Sequence, residues 1–170
     1  ASTREYDAAR LVPVVARPHS PDAVVPARDL AGTAIDSVYI GSCTGGKTAD
    51  FEAAARILKG RTVKVLTLAV PATKDVEAEI RKPAAGGGKS VFEILVAAGV
   101  RFSEPSCAAC LGGPLDTFGR IHARERRVAT TNRNFPGRMG SKLGEIYLAS
   151  PQTAAASAVT GKITDPRDVP

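Results

Sequence analysis

Segments with strand-like and helix-like patterns alternate along this chain from residue 37 onward, and that alternation limits the folds open to it. Residues 37–40 are rich in β-branched and apolar side chains, and residues 63–70 form a second apolar run that Pro71 ends. Between them, residues 49–59 place apolar side chains on one stripe at helical spacing, and Gly60 is a stop signal. Strands that alternate with helices build a mostly parallel sheet. We therefore predict an α/β fold in which helices flank that sheet in three layers.

Local start and stop signals place the remaining elements. Thr73 is a candidate cap for a helix, Ser90 and Glu93 form a capping box for another, and Ser150 precedes a last helix that Gly161 ends. Further strands are predicted at residues 100–103, 128–130 and 145–148, a flexible loop at 82–89, and a charged surface loop at 124–127.

The first part of the chain differs from the rest in composition. Residues 1–33 contain four prolines, which favour extended segments and break helices. We therefore expect an extended leading segment or linker at residues 1–33, followed by one α/β domain at residues 34–170.

Three cysteines follow predicted strands: Cys43 comes after the first, and the pair Cys107 and Cys110 comes after another. Ligands in such sheets lie at the carboxyl ends of the strands, so these loops are expected to converge. A closed metal site uses four ligands and a disulfide framework uses an even number of cysteines. Three cysteines therefore predict a metal centre with one position left open, and we favour iron and sulfur for it.

Other chemistries also use cysteines in such settings. Gly41 to Gly45 has the shape of a nucleophile elbow, for which His122 is a candidate base, but this interpretation leaves the cysteine pair unexplained. The pair is also compatible with a redox dithiol or with a zinc site that His19 or His122 completes.

Charge and composition narrow the partners. The formal net charge of +6 favours an anionic ligand, while an aromatic content of 5% with no Trp disfavours a base-stacking platform for nucleic acid. No apolar run is long enough for a membrane span, and unpaired thiols favour a reducing compartment. We expect a cytoplasmic protein with no membrane partner and no nucleic-acid partner.

Four segments carry a resemblance to a known family. Residues 40–50 (IGSCTGGKTAD), 106–113 (SCAACLGG), 129–140 (ATTNRNFPGRMG) and 147–161 (YLASPQTAAASAVTG) resemble successive motifs of the aconitase superfamily, in that family's order and spacing. The similarity extends over about residues 38–168, and it is greatest to the large-subunit branch that contains isopropylmalate isomerases and homoaconitases. A domain 3-like fold of that superfamily is the implied architecture.

The resemblance implies a site and a reaction. It implies that Cys43, Cys107 and Cys110 ligate a [4Fe–4S] cluster with one open iron, and that Asn132, Arg133 and Arg138 contact the substrate. The implied reaction is the dehydration and rehydration of a hydroxy di- or tricarboxylic acid, such as 3-isopropylmalate or homocitrate, in leucine or related amino-acid biosynthesis.

The resemblance also indicates what must come from elsewhere. The catalytic base would be supplied by a swivel domain or small subunit, and two earlier domains would complete the site. This chain is then expected to be a cluster-ligating domain that is inactive alone. The sequence departs from the family pattern at Gly45 and Gly46, because many relatives have asparagine at the first of these two positions. Two alternatives are a non-catalytic RNA-binding or scaffold relative, and a fragment that carries zinc or no metal.

Overall fold

A computed structural model describes residues 3–169 of the chain, and its centre is a seven-stranded mixed sheet in the order β2-β1-β7-β6-β3-β4-β5. The neighbours β7, β6, β3, β4 and β5 are parallel, whereas β1 is antiparallel to both β7 and β2. The strands are β1 (Val14–Ala16), β2 (Val24–Pro26), β3 (Ser37–Gly41), β4 (Leu66–Val70), β5 (Arg101–Phe102), β6 (Glu125–Ala129) and β7 (Gly144–Ala149). The predicted α/β class with a mostly parallel sheet is confirmed.

Capping signals set the helix bounds. Thr73 accepts a hydrogen bond from the Val76 N–H, Ser90 and Glu93 form the predicted capping box, and Ser150 caps the last helix. The helices are the single turn α1 (Ser42–Gly45), then α2 (Thr48–Leu58), α3 (Lys74–Arg81), α4 (Val91–Ala97) and α5 (Pro151–Thr160). Among residues 3–169, none of these is both long and apolar enough to cross a membrane.

The two faces of the sheet bury different partners. Alternate strand residues such as Val38 and Ile40 pack with helices α2 to α5 in the main core, which contains Phe51 and Leu58. Tyr39 points to the opposite face, where it packs with residues of the connections on either side of β6. Those residues are Ala109, Ile121 and Met139. The third layer is therefore built by irregular segments, and these segments carry the cysteine pair.

The proline-rich leading segment contributes to the sheet. Strands β1 and β2 form an antiparallel hairpin whose β1 pairs with β7, and Val15 is fully buried. The sequence predicts a leading segment at residues 1–33 and a domain at residues 34–170, and residues 1, 2 and 170 of these lie outside the described residues. The boundary at residue 33 stays a prediction.

The interpretation of residues 124–127 as a surface loop is wrong. Residues from Glu125 belong to β6, and Arg127 is 1% exposed. Its guanidinium forms an ion pair with Glu125 and donates to Ser37 Oγ at 2.8 Å and to the Gly119 carbonyl. These partners explain how a charge is tolerated inside the fold, because a buried ion is stable only when it is paired.

Candidate functional site

The carboxyl ends of the parallel strands bring the predicted site segments to one edge of the sheet. Strand β3 leads directly into α1, which carries Cys43, and β5 is followed by the loop that reaches Cys107. Strand β6, which lies beside β3, ends two residues before Thr131 and three before Asn132. Sequence reasoning therefore placed the three segments on the correct side of the sheet.

The turn that carries Cys43 fits its neighbours only because glycines flank it. A Cβ on Gly45 would collide with the backbone and side chain of Thr130. A Cβ on Gly46 would lie 2.7 Å from the Val70 carbonyl oxygen. The turn is thereby wedged between the ends of β4 and β6.

Backbone strain marks the residue before the cysteine. Ser42 has a φ of 66°, which is uncommon for a side chain other than glycine. Its hydroxyl lies 3.1 Å from the Tyr39 hydroxyl in the buried layer, and burial raises the pKa of Tyr39 to about 12. The contact between the two hydroxyls connects the turn to the buried layer beneath it.

Cys43 and Cys110 both lie close enough to Cys107 to affect the pKa of its thiol. The Cys110 thiol donates to the Cys107 carbonyl at 3.2 Å. Burial raises the pKa of Cys107, the Cys43 N–H opposes that rise, and the nearby Cys110 and Cys43 sulfurs add to it. A cationic metal group would reverse this effect, because it favours the thiolate form.

The donor chemistry of this site is that of an iron–sulfur group, although its side chains are not arranged as a ready metal site. Across residues 3–169, no three or more His, Cys, Asp or Glu side chains are grouped so that they could hold a metal ion. His19 and His122, the candidate fourth ligands of a zinc site, are both exposed. Cys43 is exposed as well, Cys107 is half-buried and Cys110 is buried. Thiolates are the usual ligands of iron–sulfur clusters, so the donor chemistry agrees with such a group.

The cysteine pair is fixed to the arginine-bearing loop by close backbone packing. A Cβ on Gly112 would lie 3.0 Å from the Gly140 nitrogen and 3.1 Å from the Gly137 carbonyl oxygen. The Arg120 guanidinium donates to the carbonyls of Gly112 and Gly113 and so closes the loop after Cys110. The pair is thus held against the turn that contains Arg138.

The predicted substrate residues differ in exposure. Asn132 and Arg133 are exposed, and Arg133 donates only to the neighbouring Asn132 carbonyl, at 3.0 Å. Arg138 is half-buried, and its guanidinium carbon lies 5.7 Å from the centre of the Phe135 ring. The Arg138 Nε has no hydrogen-bond partner among the described residues. Within residues 3–169, neither arginine forms an ion pair with a carboxylate. Both cations therefore remain available to an anion.

Asn134 has a different task from Asn132. Its side chain is fully buried and donates to the carbonyls of Arg17 at 2.8 Å and Ile146 at 3.1 Å. It fastens the loop to the sheet and to the leading segment, while Asn132 two residues earlier faces solvent. The sequence offers no signal that separates the two asparagines.

A small cavity adjoins the cysteine pair. Its volume is about 290 Å³, and Tyr39, Val70, Ser106, Ala109, Asp116 and Phe118 are among the residues that line it. Sequence reasoning missed this cavity and the roles of Thr130 and Arg120, because all three depend on contacts between distant segments.

Comparison with known proteins gives a consistent result. Residues 26–161 match the model of the aconitase family (aconitate hydratase). The chain is 55% identical over 168 residues to the chloroplastic 3-isopropylmalate dehydratase large subunit of Arabidopsis thaliana, covering 96% of this chain and 33% of that protein. It is 48% identical to 3-isopropylmalate dehydratase large subunit 1 of Methanopyrus kandleri, covering 95% of this chain and 37% of that protein.

A third relative carries another name. The chain is 47% identical over 164 residues to the probable methanogen homoaconitase large subunit of Methanosarcina mazei, covering 96% of this chain and 39% of that protein. The chain thus spans roughly a third to two-fifths of the length of these curated relatives.

Proposed function

Because this chain belongs to the aconitase family, we propose that it is the cluster-ligating domain of a hydro-lyase that acts on a hydroxy di- or tricarboxylic acid. The observation that supports the proposal is that the segments of Cys43 and of the cysteine pair follow parallel strands at one sheet edge, where the pair packs against a loop whose two arginines have no acidic partner among residues 3–169. A metal group and a carboxylate-binding surface are two of the parts that such a dehydration needs.

Members of this family generally bind a [4Fe–4S] cluster, and Cys43, Cys107 and Cys110 are the residues proposed to hold it. When bound, such a cluster supplies a Lewis-acidic iron that assists departure of a substrate hydroxyl. Three protein thiolates leave one coordination position open, which is typical of a catalytic rather than a structural metal site.

The arginines of this chain are proposed to bind and orient the substrate. Guanidinium groups match carboxylates with two parallel hydrogen bonds. Arg138 is restrained by partial burial and by Phe135, so it loses little freedom on binding, whereas Arg133 is exposed and moves to meet its ligand. Asn132, exposed at the end of β6, is proposed to donate to the substrate or to the metal group.

Proton transfer is proposed to come from outside this chain. His19 and His122, the two histidines of the sequence, are both exposed residues. We propose that a swivel-domain small subunit supplies the base and that the remaining large-subunit domains complete the pocket, so that this chain alone is inactive. The named large subunits among the relatives support a small-subunit partner.

The proposed substrate is 3-isopropylmalate. Two of the relatives above are named for it and the third is named homoaconitase, which leaves homocitrate-type acids as the second choice. The proposed place is a reducing compartment, the cytoplasm, because the thiols must stay unpaired to bind a metal group.

Anaerobic reconstitution with iron and sulfide tests the proposal. We expect the wild type to take up a cluster, seen as bound iron, sulfide and visible absorbance, and Cys43→Ser, Cys107→Ser and Cys110→Ser to lose it. His19→Ala and His122→Ala are matched controls that remove the alternative ligands and are expected to load normally. Loss of metal binding in a histidine control with normal binding in Cys43→Ser would contradict the proposal.

A further inference from the structure

Thr130 joins the two halves of the site. Its hydroxyl accepts a hydrogen bond from the Gly41 N–H at 2.9 Å and donates one to the Gly45 carbonyl at 3.0 Å. Gly41 lies directly before the Cys43 turn and Gly45 ends it. One buried hydroxyl therefore closes the turn at both ends.

Thr130 is itself rigidly placed. It is 5% exposed, and its backbone N–H donates to the Tyr39 carbonyl at 3.0 Å, which continues the pairing of β6 with β3. The close approach of Gly45 to Thr130 leaves no room for the turn to shift toward β6. The hydroxyl thus holds the turn from a fixed point of the sheet.

The hydroxyl also offsets the strain of the turn. Ser42 is held at a φ of 66°, a conformation that persists only where surrounding contacts enforce it. The Tyr39 hydroxyl supports the Ser42 side chain from below, and Thr130 supports the backbone on both sides. Without Thr130, the buried Gly41 N–H and Gly45 carbonyl lose their partner.

The geometry points to Thr130 as a positioning residue that fixes the Cys43 sulfur relative to the cysteine pair and ties this sulfur to the loop of Asn132 and Arg133. The inference rests on the proposed function, because it assigns Thr130 a role toward the metal group that Cys43 holds. Thr130 touches no ligand and acts through the turn. Residues that orient metal ligands affect metal affinity by about ten- to hundredfold when they are changed.

Thr130→Val tests the inference, because valine keeps the shape and β-branching of threonine and removes only the hydroxyl. We expect this variant to lose its reconstituted iron about tenfold faster than the wild type on exposure to a chelator. Thr130→Ser restores the hydroxyl and is expected to bring the rate back to within about threefold of the wild type.

Thr131→Val is the matched control. Thr131 is the next residue and is 7% exposed, and its buried hydroxyl has no hydrogen-bond partner in the part of the chain that the structure describes. We expect its rate of iron loss to match that of the wild type. The inference is overturned if Thr131→Val loses iron as fast as Thr130→Val does. It is also overturned if Thr130→Val is less heat-stable than the wild type but loses iron at the wild-type rate.

Two further outcomes separate the inference from the proposed function. If the wild type takes up no cluster, the proposed function itself is contradicted. If the wild type takes up a cluster and Thr130→Val loses iron at the same rate, only the positioning role of Thr130 is contradicted. If Thr130→Val does not fold, amide hydrogen exchange in the wild-type apoprotein decides. The Gly41 amide is expected to be protected, and exchange of this amide at the rate of an exposed loop overturns the inference.

Discussion

Two arginine-containing segments that lie close together in the sequence behave in opposite ways. In β6, Arg127 is buried, ion-paired with Glu125 and hydrogen-bonded to Ser37. In the loop after β6, Arg133 and Arg138 have no acidic partner within residues 3–169, although Arg138 is half-buried. A buried arginine whose partners lie within the protein stabilises the fold, whereas an arginine that the fold leaves unpaired is available to a ligand. The first segment therefore has a structural role, and for the second we propose a role in binding.

The largest expected effect is on stability, at Arg127. Arg127→Met removes the guanidinium and leaves the Glu125 carboxylate and the Gly119 carbonyl without it. Removal of one partner of a buried ion pair costs about 3–5 kcal/mol, so we expect the free energy of unfolding in urea to fall by that amount. A decrease in the free energy of unfolding of less than about 1 kcal/mol would mean that the pair of Arg127 and Glu125 does not stabilise β6.

The next effect is on binding, at Arg138. Loss of a charged hydrogen bond costs about 1.5–3 kcal/mol, so in the assembled, cluster-loaded enzyme Arg138→Met is expected to raise the substrate KM or Kd by about 10- to 150-fold. The free energy of unfolding is expected to change by less than about 1 kcal/mol. If Arg138→Met lowers the free energy of unfolding as much as Arg127→Met does, the two arginines do not differ in role.

A paired carboxylate at the end of the chain gives a pH test. Arg167 hydrogen-bonds to the buried Asp165, and this bond together with Arg28 holds the pKa of Asp165 below its ordinary value of 3.8. The carboxylate stabilises the fold above that ordinary value, and this stability is lost as the pH falls through the lower folded-state pKa. We expect Asp165→Asn to cost about 1 kcal/mol at pH 7 and to flatten the acid side of the stability profile. Equal acid sensitivity in both proteins would show that Asp165 contributes nothing to it.

The smallest effect is expected at the exposed end of β6. Arg126 pairs with Glu145 at 2.9 Å, and the Arg126 side chain is 44% exposed. Exposed pairs are worth about 0.2–1 kcal/mol, so Glu145→Gln is expected to lower the free energy of unfolding by that amount, and less at high salt. A cost that approaches that of Arg127→Met would remove the distinction between paired arginines inside and outside the fold.

The sequence predicted what depends on local signals. The capping box of Ser90 and Glu93 and the cap at Ser150 are contacts within one turn of chain, and both formed as predicted. The order of strands and helices placed Cys43, Cys107 and Asn132 at the same edge, because the strands that precede them are parallel.

The sequence did not predict what depends on distant contacts. Arginine is a residue type that usually lies at the surface. The burial of Arg127 depends on hydrogen bonds to Ser37 and Gly119, which lie elsewhere in the chain. Thr130 and Thr131 are the same residue type side by side, yet the Thr130 hydroxyl hydrogen-bonds to the Cys43 turn and the Thr131 hydroxyl has no partner among residues 3–169. Local patterns carry no information on such pairings, so these residues could be assigned only from the fold.

We propose that sulfurs from separate loops hold one iron–sulfur group beside an open arginine-bearing loop. Iron anomalous diffraction from anaerobically reconstituted crystals would locate the iron atoms. We expect one compact cluster of iron atoms in contact with the sulfurs of Cys43, Cys107 and Cys110, with one iron that has no ligand from this chain. A single metal ion, or iron bound at His19 or His122 and away from Cys43, would contradict it.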